Sequence, residues 1–599
     1  MKKGLILTII LLSVWVLGFS QQTEWKVNNM ATWIDAVNGI RSGGNDKEYT
    51  ITLNGNLSVP SSDDNLFGSG TGIVITIEGN GTISLTGIGN MLFIGNKQTV
   101  IVRNLKLQGR SGNNSRLVVV VDGGIFRMEG NASITGNTAN EYNFWHSENS
   151  GGGVYVNNGT FTMQDSASVT GNSMAGFEEG GGGIYIENGT FTMQDNASVV
   201  GNTSTYRGGG IYIENGTFTM RDNASVSRNT TTDKSGFSDR DGGGGVFVSN
   251  GTFTMQGGTV SGNITSTNGG GVYNSGTFTM QGGTVSRNIA NGDEYEGDGG
   301  GGVSNGGTFN MQGGTVSGNN AIHGGGVRVS GTFTMQNSAS VSYNSAIYYG
   351  GGVCVIGGTF TMQDNASVSS NVVNGNIYEG DGGGVYIFYR GTFTMQDSTS
   401  VSGNFARFNG GGIYIGKEDR STGNFTIRDN AYVSGNTANS NGGGVFISNS
   451  GTFTKTGGNI YGYDALGDLK NNAKKGCAIF NEGNGNWRSI SVGPTMNLNS
   501  YGFWLNDDKV IEFPSAFTGT WKRDNFNNML TITANTVKSS SQNYAWNISD
   551  ISGDSHKLIA DNTAKSTLTL TVKFVNGNIV ISGDSGNGQD NWNGTWKKQ

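Results

Sequence analysis

The chain has 599 residues, with 104 glycines, 3 prolines, 37 Lys+Arg and 44 Asp+Glu, for a net charge of −7. Scarce proline and the lack of a Gly-X-Y period exclude collagen. Apolar residues recurring at fixed places argue against disorder, and the absence of a basic stripe argues against a nucleic-acid partner.

Residues 1–20 read as a secretory signal peptide. Lys2 and Lys3 form a basic start, Leu5 to Leu17 an apolar stretch, and Gly18-Phe19-Ser20 a small-residue exit. The apolar run is short for an uncleaved anchor, and no later stretch is long and apolar enough to span a bilayer as a helix. Residues 21–124 read as a cap and irregular first coils. A short helix is predicted around Met30 to Val37, followed by β-branched runs at Tyr49–Leu53, Ile73–Ile77, Thr99–Val102 and Leu117–Val121.

The regular part runs through residues 125–513, with degenerate last coils after about Thr454. Its unit is seen from Gly151 to Asn172: a glycine run, an apolar-aromatic-apolar triplet, Gly-Thr-Phe-Thr-Met, then a Ser-Val-type strand closed by Asn. The phenylalanine recurs at 161, 191, 218, 253, 278, 309, 333, 360, 393, 425 and 453, in steps of 24 to 35 by subtraction. Such a period marks a solenoid. Within Thr160-Phe161-Thr162-Met163, Phe and Met share one side and the threonines the other; in Val154-Tyr155-Val156 the valines share the Phe side. Three short strands per unit predict one coil of a right-handed parallel β-helix. Each Phe then lies on the next, and the asparagines 172, 202, 229, 263, 288, 319, 344, 371, 404 and 436 stack amide to amide at a corner.

From each Phe to its closing Asn the distance is 10 or 11 residues, whereas from that Asn to the next glycine run it varies from about 5 to about 14. Insertions therefore collect at one corner, as they do on the binding face of repeat proteins, with one exception at Gly416 to Thr422, which inserts before the Phe strand instead. The loops there are aromatic and acidic: Tyr142, Phe144 and Trp145; Phe177 and Glu178; Phe237 and Asp239; Tyr295 and Glu296; and Tyr378. These ten are the candidate binding residues, with a glycan or a surface protein of a host or neighbouring cell as the partner class.

The glycine-run triplet Gly151-Gly-Gly-Val-Tyr-Val156 with its downstream Phe strand resembles the repeats of polymorphic outer membrane proteins and related bacterial surface β-helices. The resemblance covers roughly Ile125 to Thr454. That family pairs a Gly-Gly-Ala-Ile-type motif with Phe-x-x-Asn; here the third small residue is Gly, and Phe161-Thr-Met-Gln164 has Gln in place of Asn. The resemblance implies an exported protein on the outer surface or in the envelope of a bacterium, with an adhesin-like role. Residues 514–599 read as a small antiparallel β domain. It looks lipocalin-like: Gly519-Thr520-Trp521 matches the Gly-x-Trp start of that family, and Gly594-Thr595-Trp596 echoes it.

No catalytic constellation emerges, and neither a cofactor nor a metal site is predicted. His146, His323 and His556 lie in unrelated contexts and are expected on the surface. Asp165, Asp195, Asp222, Asp364, Asp397 and Asp429 occupy the same place after the Phe strand and read as turn residues. Cys354 and Cys477 are several coils apart and are not expected to pair. The function expected is a binding or spacer module. The rivals are a carbohydrate-active β-helix enzyme and an ice-binding Thr-x-Thr face, the latter from outward pairs such as Thr160 and Thr162.

Overall fold

The computed structural model describes residues 22–62, 64–139, 151–176, 180–232, 241–292, 299–375, 379–416, 422–482, 491–493 and, beyond these, only strands. The chain divides into two compact units, Met1–Ile322 and His323–Gln599. Both contain a parallel β-solenoid, as the 24–35-residue period predicts.

The first unit opens with strand Glu24–Val27 and helix Met30–Arg41, four residues longer than the sequence indicates. Asn29 caps the helix: its Oδ1 accepts from the Thr32 backbone N–H at 3.0 Å, and Thr32 Oγ1 accepts from the Asn29 N–H at 3.3 Å. The helix buries Trp33, Ala36, Val37 and Ile40, and Gly39 sits so close to Trp25 that a Cβ there would meet the indole at 2.6 Å. Strands Glu48–Leu53, Val74–Gly79, Thr99–Arg103 and Ile125–Glu129 then pair parallel in sequence order.

In the regular coils the Phe strands align residue for residue: Phe161 with Phe191, Phe191 with Phe218, Phe218 with Phe253. Ring centroids from Phe161 to Phe309 are 4.6–4.9 Å apart, and every ring is fully buried. That distance is set by the spacing of neighbouring strands, which suits stacked aromatic rings. Met163, Met193, Met220 and Met255 make a second buried column beside them. After the closing asparagine comes a fourth strand, of two residues in most coils (Thr203–Ser204, for example), where the sequence indicates only three per coil. Two residues are too few to show a period.

The asparagine ladder is present, and it extends beyond the predicted set to Asn137 and Asn113 in the first unit and Asn471 in the second. Asn229 shows its logic. Its Oδ1 accepts from the backbone N–H and the side-chain amide of Asn202, at 2.9 and 3.0 Å. Its Nδ2 donates to Val199 O and to Asn263 Oδ1, both at 3.0 Å. A fully buried amide thus has both donors and both lone pairs used, the condition under which burying it costs little. At the glycine corner Gly243 adopts φ +66°, and a Cβ on Gly244 would lie 2.5 Å from Ile264 O, so the coils can approach here only without side chains.

One outward position is not as the alternation suggests. Tyr155, Tyr185, Tyr212, Phe247 and Tyr273 face away from the Phe column yet are 1–7% exposed, forming a second aromatic column. The glycine three residues before each triplet curls back on it: a Cβ on Gly181 would be 3.0 Å from Tyr185 Cβ.

The second unit repeats the scheme. Phe333, Phe360, Phe393, Phe425 and Phe453 stack at 4.6–5.4 Å. Neither Cys354 nor Cys477 forms a disulfide. The parallel ladder ends where strand Gly451–Lys455 pairs antiparallel with Leu498–Asn499, and Ile479–Asn481 with Asn486–Arg488. Lys455 stands where other copies have Met. It is fully buried, beside Ile427 in the neighbouring strand, and its Nζ donates to Gly493 O at 2.6 Å. Among the described residues no helix is long and apolar enough to cross a membrane.

Burial lowers the Lys455 pKa from 10.5 to about 8. Between those values the unfolded chain binds this proton and the folded chain does not, so stability tied to Lys455 rises with pH from about 8 to 10.5. Lys455→Met is expected to stabilise the protein at pH 7 by about 1–3 kcal/mol and to remove that rise, as measured by urea melts at pH 7 and pH 10.

Candidate functional site

All ten candidate residues, Tyr142, Phe144, Trp145, Phe177, Glu178, Phe237, Asp239, Tyr295, Glu296 and Tyr378, lie outside the described residues. What the structure describes is the framework from which those loops emerge, in each unit by itself.

In the first unit the framework is basic, acidic and aromatic at once. Arg116 lies over the Tyr155 ring, 3.8 Å from its centroid. The Tyr155 and Tyr185 hydroxyls donate to Glu187 and Glu214 of the following coils. Arg207 pairs with the nearly buried Asp241 at 3.2 Å and approaches the Phe247 ring at 5.7 Å. These contacts tie successive coils together at the corner and fix its outer aromatic column.

In the second unit the column changes composition. Cys354 takes the place of an aromatic, aligned between Arg328 and Tyr386. Tyr349, from the corner preceding the glycine run, fills the space and stacks on Tyr386 at 4.5 Å. His323 stacks on Tyr349 at 5.1 Å with rings 7° from parallel, and is 6% exposed. The surface position expected for this histidine is therefore corrected: a small residue at 354 opens a slot that corner aromatics occupy. His146 and the side chain of His556 lie outside the described residues.

Asp381 belongs to the same corner. It is 8% exposed, bridges in parallel to Tyr349, and its Oδ1 accepts from the Asn409 backbone N–H at 2.8 Å. Burial is the main reason its pKa rises from 3.8 to about 7, with Glu379 and Glu482 adding to it and the Asn409 bonds opposing. Tyr349 is pushed well above the usual tyrosine range by burial and then by the Glu379 carboxylate, to which it is hydrogen-bonded. The sequence pattern gives no sign of the Tyr349 slot, whose signal is the loss of the aromatic at Arg328 and Cys354 in the outer column.

The recurrent aspartates do the work of a turn. Asp165, Asp195 and Asp222 have φ of 54–55°, and the Asp195 carboxylate accepts from the Asp165 N–H at 3.1 Å, that of Asp222 from the Asp195 N–H at 3.2 Å. Among the described residues no group of three or more His, Cys, Asp or Glu is arranged to hold a metal ion.

No family model, curated protein or solved structure matches this chain.

A raised carboxyl pKa means that the folded state holds the Asp381 proton and the unfolded state does not, between about pH 3.8 and 7, so this stability declines as pH rises through the window. Asp381→Asn keeps the acceptor for Asn409 and removes the charge. It is expected to flatten the decline and to stabilise the protein by about 1–3 kcal/mol at pH 8 with little change at pH 4, checked by thermal melts across that range.

Proposed function

We propose that this chain is an exported surface or envelope protein of a bacterium whose solenoid presents ligand-contacting loops along one corner, or spaces a binding region from the cell. The observation that carries the proposal is the contrast between strict register and variable spacing. Phe, Met, Val and closing Asn align coil after coil, while the segment between that Asn and the next glycine run changes length freely. Repeat proteins hold a framework constant and vary loops where they contact partners. The signal-like first twenty residues and the resemblance to polymorphic outer membrane protein repeats support export and an adhesin-like role. The partner class remains a glycan or a surface protein. Residues 514–599 are proposed as a small antiparallel, lipocalin-like β domain. Eight strands from Gly519–Arg523 to Gly594–Lys598 pair antiparallel in chain order, and the last returns to the first, Lys598 opposite Trp521.

A second reading, a carbohydrate-active enzyme, is favoured by one observation. The Tyr349–Glu379–Asp381 corner breaks the repeat and holds a carboxyl group titrating near neutrality, as a general acid does. The repeated aspartates give it no support, because turn hydrogen bonds account for them.

A glycan array combined with an assay for released reducing ends separates the two: binding without release supports the module, release supports the enzyme. Deleting residues 233–240 and 293–298 is expected to weaken binding to the array hits about tenfold or more while the melting temperature stays within a few degrees. Unchanged binding would remove the corner from the account.

A further inference from the structure

On the residue just before each closing asparagine, the first unit carries a second ridge, separate from the insertion corner. Gly171, Gly201, Gly262 and Gly318 occupy it at φ +61° to +65°. Two coils place arginine there instead, Arg228 at φ +53° and Arg287 at +55°, a left-handed conformation that disfavours side chains. The coils are consecutive: Asn229 bonds to Asn263, and Asn263 to Asn288. Arg228 and Arg287 therefore flank Gly262 at two coil spacings, about 10 Å.

Both arginines are exposed, and neither forms an ion pair with a described carboxylate. Their stems run along the ridge: a Cβ on Gly262 would lie 3.9 Å from Arg228 Cγ, and one on Gly318 3.8 Å from Arg287 Cγ. On one side lie the in-register hydroxyls of Ser227, Ser261 and Ser286. On the other lies Ile264, 38% exposed, aligned between Thr230 and Ile289.

We propose that this ridge binds an acidic linear polysaccharide. Each guanidinium would take a carboxylate or sulfate in a bidentate hydrogen bond, the serine hydroxyls would meet sugar hydroxyls, and Ile264 would meet an apolar ring face. The spacing suits a chain in which acid groups recur on every second sugar, whether or not the sugars between them are also acidic. A nucleic-acid strand, with a charge every ~3.4 Å, calls for a denser basic array than two arginines. The ridge does not depend on the insertion corner.

The test uses the full chain against alginate (carboxylated), heparin (sulfated), neutral dextran and oligo(dT), with affinity measured at 50 and 300 mM NaCl. Binding to alginate or heparin that weakens with salt is expected, with none to dextran. Arg228→Gly/Arg287→Gly installs the residue that other coils use, so folding should survive with an equal or higher melting temperature while affinity falls at least tenfold. Arg228→Lys/Arg287→Lys should fall in between, because lysine lacks the fork. The proposal is overturned if neither acidic polymer binds, if the double glycine variant binds as well as the parent, or if oligo(dT) binds as tightly. Loss of binding on deleting the 233–240 and 293–298 loops alone would assign it to the corner and overturn the ridge; retention supports it.

Discussion

One buried contact recurs through both units and sets the terms for the rest: a closing asparagine amide bonding to the asparagine of the next coil at about 3.0 Å. It holds only if every coil contributes the same residue at the same height. The same spacing then stacks the phenylalanines, aligns the methionines and puts the aspartate turns within reach of each other. Each buried Phe gives roughly 2–3 kcal/mol, but only when a neighbour covers both faces, so a single coil has no stability of its own.

That dependence explains what is uniform and what varies. A coil that changed its Phe-to-Asn distance by more than the one residue lost at the Gly257-Gly258 turn would leave an amide unpaired in the core. A coil that lengthens its other spacer disturbs neither column. The exceptions inside the solenoid follow the same rule. Cys354 leaves a slot in the outer column, and Tyr349 fills it. Lys455 breaks the methionine position where the ladder turns antiparallel, so its ammonium reaches a carbonyl of the closing segment. Arg228 and Arg287 replace glycine on a ridge where both columns are indifferent to the side chain.

The solenoid was legible because the period is written in residues that cannot be exchanged. Phenylalanine at steps of 24 to 35, with asparagine 10 or 11 later, leaves little other fold open. The buried Tyr155 to Tyr273 column was not legible, because alternation assigns a side and not what lies over it; the glycine run supplies that through its backbone. The two-residue strand after Asn202 is too short to signal itself. The stacking of His323 on Tyr349 joins residues 26 positions apart, beside a column position that is no longer aromatic, which no local pattern carries. For the spacer aromatics and acids, periodicity says where the chain leaves the framework and nothing about side-chain arrangement, because spacers of unequal length have no aligned copy.

The most direct test of the coil-on-coil alignment is pyrene excimer fluorescence on outward threonine pairs, in a Cys354→Ala/Cys477→Ala background. Thr192 and Thr219 are neighbours in adjacent coils although 27 positions apart in the chain. Thr192 and Thr279 lie three coils apart on the same column, about 14 Å. Strong intramolecular excimer emission from pyrene on Thr192→Cys/Thr219→Cys, well above that from Thr192→Cys/Thr279→Cys, is the predicted result. Monomer emission alone from the adjacent pair, or equal emission from both, would contradict the stacked solenoid.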